Sequence, residues 1–487
     1  MADDLISFGA KLAQHAQCRP NAPAVSCGAE TLSYSQLHHL SNRLARGLAK
    51  SGVKFGDLVT VGLPNSVGFV VACYGIWKLG ATPQPVSYRL PKVELQAIID
   101  LAQAPLVIAE FDHEVDRPVM RLAEILDLSD DDSDLPDQIS PVSKAPTSGG
   151  STGRPKLILA GQRGVSPVDM PELPFYQIRP DQAVLLPGPL YHNAPFSLTM
   201  GATQVGAHAV LTPRFDAEGT LAEIHARKIT WLYLVPTMMN RIWHLPEEIR
   251  RGYDISSVQT LWHMAAPCPP WLKEAFIHWF APGEVMELYG GTEAQAISVI
   301  KGSEWLSHRG SVGRVTVGEM KVVDDNGVAV PAGQVGEIYM RRAQGMPETY
   351  KYLGADARII NDGWESLGDL GSFDEEGYLY LADRRTDMIL VGGSNVYPAE
   401  IEAALEEHPA VQSCAVIGLP NEDLGAIIHA IVNVKGHVTD EDLRAHLADR
   451  LVSYKRPRSF EFVDEPVRDD AGKVRRTALR DARIKSG

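Results

Sequence analysis

The chain has no excess of positive charge. Its 46 Lys and Arg stand against 61 Asp and Glu, a formal net charge of −15 over 487 residues. That balance argues against general nucleic-acid binding, which needs a basic face to displace counterions. It leaves room for a local basic pocket around a single nucleotide. Cysteine is also scarce. The five residues Cys18, Cys27, Cys73, Cys268 and Cys414 are odd in number, scattered and without metal-ligand spacing. They argue against a disulfide framework or a zinc site and suit a reducing cytoplasm, the expected location. The first residues, Met1-Ala2-Asp3-Asp4, lack a basic n-region, so no secretory leader is expected. Long apolar runs are missing as well. The window Leu58–Trp77 carries no charge, but Gly62, Pro64, Asn65, Gly68 and Gly75 interrupt it. It reads as a buried strand, a turn and a helix, and no membrane span is expected.

What is present is an ordinary globular composition, 45% hydrophobic and 22% charged, on a chain too long for one core. Two or more domains are expected. From Thr31 a helix is predicted to about Ala49, with Leu37, Leu40, Leu44 and Leu48 at helical spacing. A strand Leu58–Leu63, a helix Val67–Leu79, a helix Lys92–Leu101 and a strand Pro105–Ala109 follow. This alternation is the pattern of an α/β protein, with parallel strands covered by helices. Further strands are predicted over Val205–Leu211, over Trp231–Pro236 running out into Thr237–Met239, and over Leu261–Pro267. The acidic, Ser-rich run from Leu126 to Asp137 reads as a solvated loop.

Three clusters carry chemistry. Thr147-Ser-Gly-Gly-Ser-Thr-Gly-Arg-Pro-Lys156 gathers hydroxyls, glycines and two cations. Glycines admit close backbone approach, hydroxyls donate to phosphate oxygens and a lysine adds a point charge, so the loop suits a polyphosphate. It is not a Walker A loop, because Leu157 and not Ser or Thr follows the lysine. A flexible polar linker would have the same composition. His192 and Asn193 follow the apolar run Val184-Leu-Leu, at the end of a strand, where open α/β sheets place ligand contacts. Tyr289-Gly-Gly-Thr-Glu293 sets an aromatic face, a glycine pair, a hydroxyl and a carboxylate together after a strand. Tyrosine can stack on a base and glutamate is a hard oxygen ligand for Mg2+. A hairpin turn with a surface glutamate is the alternative reading.

Taken in order, these clusters, Gly368-Asp369, the segment Asp383-Arg-Arg-Thr-Asp-Met-Ile-Leu-Val-Gly-Gly-Ser-Asn-Val-Tyr-Pro and Gly472-Lys-Val-Arg-Arg resemble the adenylate-forming superfamily. That superfamily comprises acyl-CoA synthetases, adenylation domains of peptide synthetases and luciferases. The resemblance spans nearly the whole chain, and its wording is most like the fatty-acid and bile-acid type CoA ligases. It implies a large N-terminal domain of β-sheets covered by helices over residues 1–382, a hinge at 383–387, and a small mobile α+β C-terminal domain over 388–487.

The resemblance also implies roles. Thr147, Ser148, Gly149, Gly150, Ser151, Thr152 and Lys156 would hold the outer phosphates of ATP. Ala265, Ala266 and Pro267 would lie along the adenine, Tyr289 and Gly290 would flank it, and Thr292 would touch the α-phosphate. Glu293 would bind Mg2+, Asp369 the ribose hydroxyls, and Arg384 the ribose or phosphate. Lys473, with Lys156 and His192, would serve the chemistry. Asn193, Phe196, Val235, Met239, Met264, Ala265 and Gly290 would line the acid pocket, which is mostly apolar and lacks a carboxylate for an amino group. A hydrophobic acid is therefore expected. Gly392 and Gly393 would face the pantetheine channel of CoA after domain rotation. The expected reaction is ATP-dependent activation of a small carboxylic acid to an acyl-adenylate, then transfer to CoA. A carrier protein is the alternative acceptor, and a second copy of the chain is a further candidate partner. One departure stands out: the family commonly has Thr where this chain has Leu367 before Gly368-Asp369.

In that reading a carboxylate attacks the α-phosphorus of ATP, anion against anion, and Lys473 bridges the two. Lys473→Ala is expected to slow adenylation by about two to three orders of magnitude, as loss of one preorganised donor does. Pyrophosphate release measures it, and near-wild-type release from the variant would remove Lys473 from the chemistry.

Overall fold

Four-residue apolar runs such as Ala183–Leu186 and Trp231–Leu234 leave almost nothing exposed, so they must lie inside a sheet covered on both faces. They do. The computed structural model describes residues 5–110, 114–149, 155–281, 283–391, 394–421, 424–469 and 472–486. Its largest sheet has a parallel half made of Pro23–Cys27, His208–Leu211, Ala183–Leu186, Trp231–Leu234, Thr260–His263 and Glu284–Gly290, in that spatial order. Helices between these strands bury Leu221, Ile224, Leu272 and Phe276 against it.

After Gly290 the sheet changes character. Ile297–Lys301 returns antiparallel to Glu284–Gly290, and the sheet continues through Ser311–Val317, Leu379–Arg384, Trp364–Phe373, Gly336–Arg341 and Glu319–Val323. A second, parallel sheet of Thr82–Pro85, Leu58–Gly62, Val107–Ala109 and Val119–Met120 holds the apolar window noted above. No helix among the described residues is long and apolar enough to cross a membrane. A small antiparallel sheet joins Thr147–Gly149, Pro155–Ala160 and Tyr350–Leu353. The C-terminal residues build a separate core, in which Ile401, Leu405, Val416, Ile428 and Leu443 pack between helices and the strands Val411–Asn421, Gly425–Val434 and Ser459–Val463. The α/β class and the small C-terminal α+β unit expected from the sequence are both present.

Several local expectations need correction. Thr31–Ser33 is the end of a strand, Glu30–Ser33, paired with Pro23–Cys27. The helix starts at Tyr34, because Ser33 and Gln36 form a capping box that fixes the entry. Val205 closes the helix Asn193–Val205, and Gly206, at φ +91°, turns the chain into the strand His208–Leu211. Thr237–Met239 is helical, since Pro236 is preorganised for the first helical position of Pro236–Trp243. The acidic run is solvated yet pinned: Asp134 accepts from His38 and Asn42, and Arg46 reaches Asp131.

Asn65 closes the turn that feeds the site. Its amide donates to Gly188 O at 2.9 Å and Thr212 O at 3.1 Å, and its Oδ1 accepts from Leu190 N at 2.8 Å. Asn65→Ala strands three buried backbone groups. It is expected to cost about 2–4 kcal/mol, read as a lower melting temperature and a lower denaturant midpoint.

Candidate active site

The parallel strands all point their carboxyl ends the same way, so the loops that follow them converge on one edge. His192 ends the turn after Ala183–Leu186 and stands at the N-terminus of helix Asn193–Val205. Met264–Pro267 follows Thr260–His263, and Gly291–Glu293 follows Glu284–Gly290. The small antiparallel sheet brings Thr147 and Lys156 to this region.

The Tyr289–Glu293 cluster is indeed the start of a hairpin, but its glutamate is not on the surface. Glu293 is only 5% exposed. Its Oε1 accepts from the Tyr352 hydroxyl and lies 3.6 Å from Lys156 Nζ. Lys156 Nζ in turn sits 3.9 Å from the centre of the Tyr352 ring. Burial, and then the neighbouring Glu293 carboxylate, push the Tyr352 phenol well above its usual range, so it stays a donor. A carboxylate, an ammonium and a phenol thus form one knot. Beside it, Glu365 accepts from Tyr350 and from Gln295 Nε2, the latter at 2.6 Å.

Across the hairpin the Tyr289 hydroxyl donates to Asp369 Oδ2 at 2.8 Å. Asp369 is opposite Arg384 in the register of Trp364–Phe373 with Leu379–Arg384. Gly368, at φ +85°, makes the kink that presents it, and Gly368 N donates to Ser366 Oγ at 2.9 Å. Leu367 fills the place where a hydroxyl was expected: a Cβ built on Gly291 would meet Leu367 Cδ1 at 2.4 Å and Glu293 Oε2 at 2.8 Å. Thr292 is half-buried beside the knot.

Ala265 adopts φ +78°, a left-handed conformation unusual for a residue with a Cβ. Ala266 is half-buried and Pro267 exposed, so this segment offers backbone to a ligand. Such strain persists where packing over-determines it. The strand leading into this segment ends at His263, fully buried with its imidazole pushed down to about 4 by burial and 3.9 Å from Glu287 of the buried Lys273–Glu287 pair.

The last component comes from the C-terminal unit. Gly472, at φ +76°, backs onto the strained segment: a Cβ there would lie 2.8 Å from Thr237 Oγ1 and 3.7 Å from Ala266 Cβ. Asp469 closes the turn, accepting from Lys473 N on Oδ1 at 2.8 Å and donating its own N–H to Lys473 O at 3.0 Å. Lys473 is exposed at the mouth so formed.

Of the expected acid-pocket residues, Phe196, Val235, Met239 and Met264 are buried within the central apolar core, at 2%, 1%, 0% and 5% exposure. Gly290 and Asn193 are half-buried. Asn193 Oδ1 accepts from Lys144 Nζ at 2.5 Å, and Lys144 also donates to Ser197 Oγ. Burial pushes the Lys144 ammonium down to about 8. The sequence reading missed both Lys144 and Tyr352. Lys144 precedes the phosphate-type loop by a few residues, and Tyr352 sits in an otherwise plain polar stretch. Gly150, Ser151, Thr152, Gly392 and Gly393 lie outside the described residues. Of Ser148, Gly149 and Arg384 only the strand positions are described.

Among the described residues no group of three His, Cys, Asp or Glu could hold a metal on its own. A single buried carboxylate with oxygens turned to a cationic neighbour fits Mg2+ that arrives on a polyphosphate, since that ion keeps most of its water and phosphate ligands.

Comparison with known proteins bears on the family and the fold. The sequence pattern of the AMP-binding enzyme family matches residues 12–350, and that of the AMP-binding enzyme C-terminal domain matches 400–473. A feruloyl-CoA synthase from an Amycolatopsis species is 30% identical over 483 residues, covering 96% of this chain and 97% of that protein. The o-succinylbenzoate CoA synthetase of Bacillus subtilis, solved with its acyl-adenylate intermediate, superposes with a TM-score of 0.81 at 25% identity, covering 98% of this chain and 99% of that one. The same enzyme with ATP and a magnesium ion also gives 0.81 at 25% identity, covering 98% and 100%.

The space at Gly291 yields a test. Gly291→Ala is expected to cost about 1–3 kcal/mol through overpacking against Leu367 and Glu293. The added change Leu367→Ala should recover part of that loss, and melting temperatures of the single and double variants compare them.

Proposed function

The chain belongs to the AMP-binding enzyme family, and from that premise we propose how its own residues carry out the reaction. The protein is an acid–thiol ligase of the AMP-forming type, acting on a small-molecule carboxylic acid. In the first half-reaction an acid oxygen attacks the α-phosphorus of ATP. The new P–O bond forms as the bond to pyrophosphate breaks, giving an acyl-adenylate. In the second, the thiol sulfur of CoA attacks the acyl carbon, the acyl–phosphate bond breaks and AMP leaves.

The observation that carries the assignment of roles is the meeting of the Gly472–Lys473 turn with Thr237 and Ala266, at the same edge as the Lys156–Glu293–Tyr352 knot. Lys156, held by Glu293 until nucleotide arrives, would exchange that partner for phosphate oxygens. Tyr352 keeps the ammonium aimed during the exchange. Asp369, already accepting from Tyr289, would accept from the ribose hydroxyls, while the Tyr289 ring lies against the base. Ala265, Ala266 and Pro267 would present backbone to the adenine. Glu293 would hold Mg2+, which when bound neutralises phosphate charge during transfer. Lys473 would offset the charge between the acid oxygen and the α-phosphate, and His192 would stand beside the acid at the head of its helix. In this reading residues 383–387 are the hinge about which the C-terminal unit turns for the second half-reaction, with Gly392 and Gly393 then facing the pantetheine.

The acid is hydrophobic over most of its length, in keeping with the apolar surroundings of Phe196, Val235 and Met264. The relatives named above act on aryl acids, which favours an aromatic body here. We assign the protein to the cytoplasm on its free thiols, of which Cys27, Cys73 and Cys414 are buried.

The test is mass spectrometry of products from ATP, Mg2+ and a panel of aryl, fatty and polycyclic acids, with and without CoA. Acyl-CoA from one class is the expected result. Acyl-AMP that persists in the presence of CoA would overturn CoA as acceptor and point to a carrier protein.

A further inference from the structure

The C-terminal unit buries a group of charges gathered around one side chain. Glu402, on the helix Pro398–Glu406, is 3% exposed. Its Oε2 accepts from Arg468 Nη2 at 2.6 Å. Arg476 Nη2 reaches both its oxygens, at 2.7 and 2.8 Å, and Val416 N donates to Oε1 at 2.8 Å. Burial alone would push this carboxyl up. Arg468, Arg476 and the Val416 N–H more than offset that and leave it below its usual range, so it is an anion in place.

The two guanidinium groups bracket Lys473 in the sequence. Arg468 also donates from Nη1 to Gly472 O at 3.1 Å, gripping the peptide that leads into Lys473. Its Nε stands 3.5 Å from Glu406 Oε1, and Arg476 Nη1 donates to Asp387 Oδ2 at 2.8 Å. The forked geometry of arginine makes this a rigid brace, one a lysine could not reproduce. The turn that carries Lys473 is thus held from both sides by one buried carboxylate.

We propose that Glu402, acting through Arg468 and Arg476, is the positioning residue that aims Lys473 at the ATP site. The proposal rests on the reading of Lys473 as the lysine of adenylation. A buried ion pair is weak evidence for stability, because desolvation cancels most of its attraction. What it supplies here is direction: it fixes a flexible side chain's base to within the tolerance that transition-state contacts need. Arg476 reaches Asp387 in the hinge segment through Nη1 and Glu402 through Nη2, so loss of Glu402 leaves the hinge contact in place and falls on the half-reaction that uses Lys473.

The experiment takes the full chain and measures the two half-reactions apart. Adenylation is followed by pyrophosphate release without CoA, and thioester formation from supplied acyl-AMP and CoA. Glu402→Gln is expected to lower kcat of adenylation by about 10- to 100-fold, with KM for ATP and acid little changed. Thioester formation stays within about twofold of wild type, as expected if Glu402 acts only on Lys473. Glu402→Asp should recover part of the loss. In a Lys473→Ala background the same change should cost nothing further, because the two residues act as one unit. Equal losses in both half-reactions would make Glu402 merely structural and overturn the proposal, as would full adenylation by Glu402→Gln or additive losses in the double variant. If Lys473→Ala alone leaves adenylation intact, the reading of Lys473 has failed, and that single variant shows it independently. Should Glu402→Gln not fold, Arg468→Lys keeps the charge but not the fork and is judged by the same split between half-reactions.

Discussion

A side chain buried as deeply as Glu293 needs polar partners, and Lys156 is the charged one. Much of the site follows from this one pairing. To reach Glu293 the lysine must come from a strand running close beneath the hairpin, so Pro155–Ala160 leaves the large sheets and pairs with Tyr350–Leu353. That pairing delivers Tyr352, whose ring lies under the ammonium and whose hydroxyl occupies the same carboxylate oxygen. Stretches nearly two hundred positions apart are tied at one point, before any nucleotide is present. In the proposed reading Glu293 stands in for phosphate charge, which would limit how far the groups move when nucleotide binds.

The second constraint is geometric. The proposed lysine must be aimed into a site built by the rest of the chain, and the described polar contacts across the gap include two of modest strength. Asn240 Nδ2 meets Gln412 O at 3.4 Å, and Arg475 meets Glu94 at 3.2 Å on the surface. Exposed pairs of this kind contribute little, roughly 0–1 kcal/mol. The C-terminal unit keeps its own apolar core, which the proposed turn about residues 383–387 would require.

The helix and strand periods of the first hundred residues showed the alternation directly. Tyr289, Glu293, Asp369 and Lys473 stood out only through the resemblance to the family's motifs, since the hairpin alone would have allowed a surface glutamate. The errors were local and had local causes. Ser33 caps a helix that leucine spacing alone would start earlier, Gly206 moves a boundary by closing a helix, and Pro236 begins one where an apolar run suggested a strand. The antiparallel half of the large sheet gave no comparable signal, because its strands alternate polar and apolar residues over short lengths and pair with partners far away. Lys144, Tyr352 and Glu402 were invisible for the same reason. Each has meaning only through a neighbour dozens or hundreds of residues distant, and no spacing rule reaches that far.

Gly472 packs against Thr237 and Ala266, so a turn of the C-terminal unit meets the segments that follow two strands of the large sheet. A Cβ at 472 would press on the Thr237 hydroxyl at 2.8 Å, so the close fit between the two units rests on one absent methyl group.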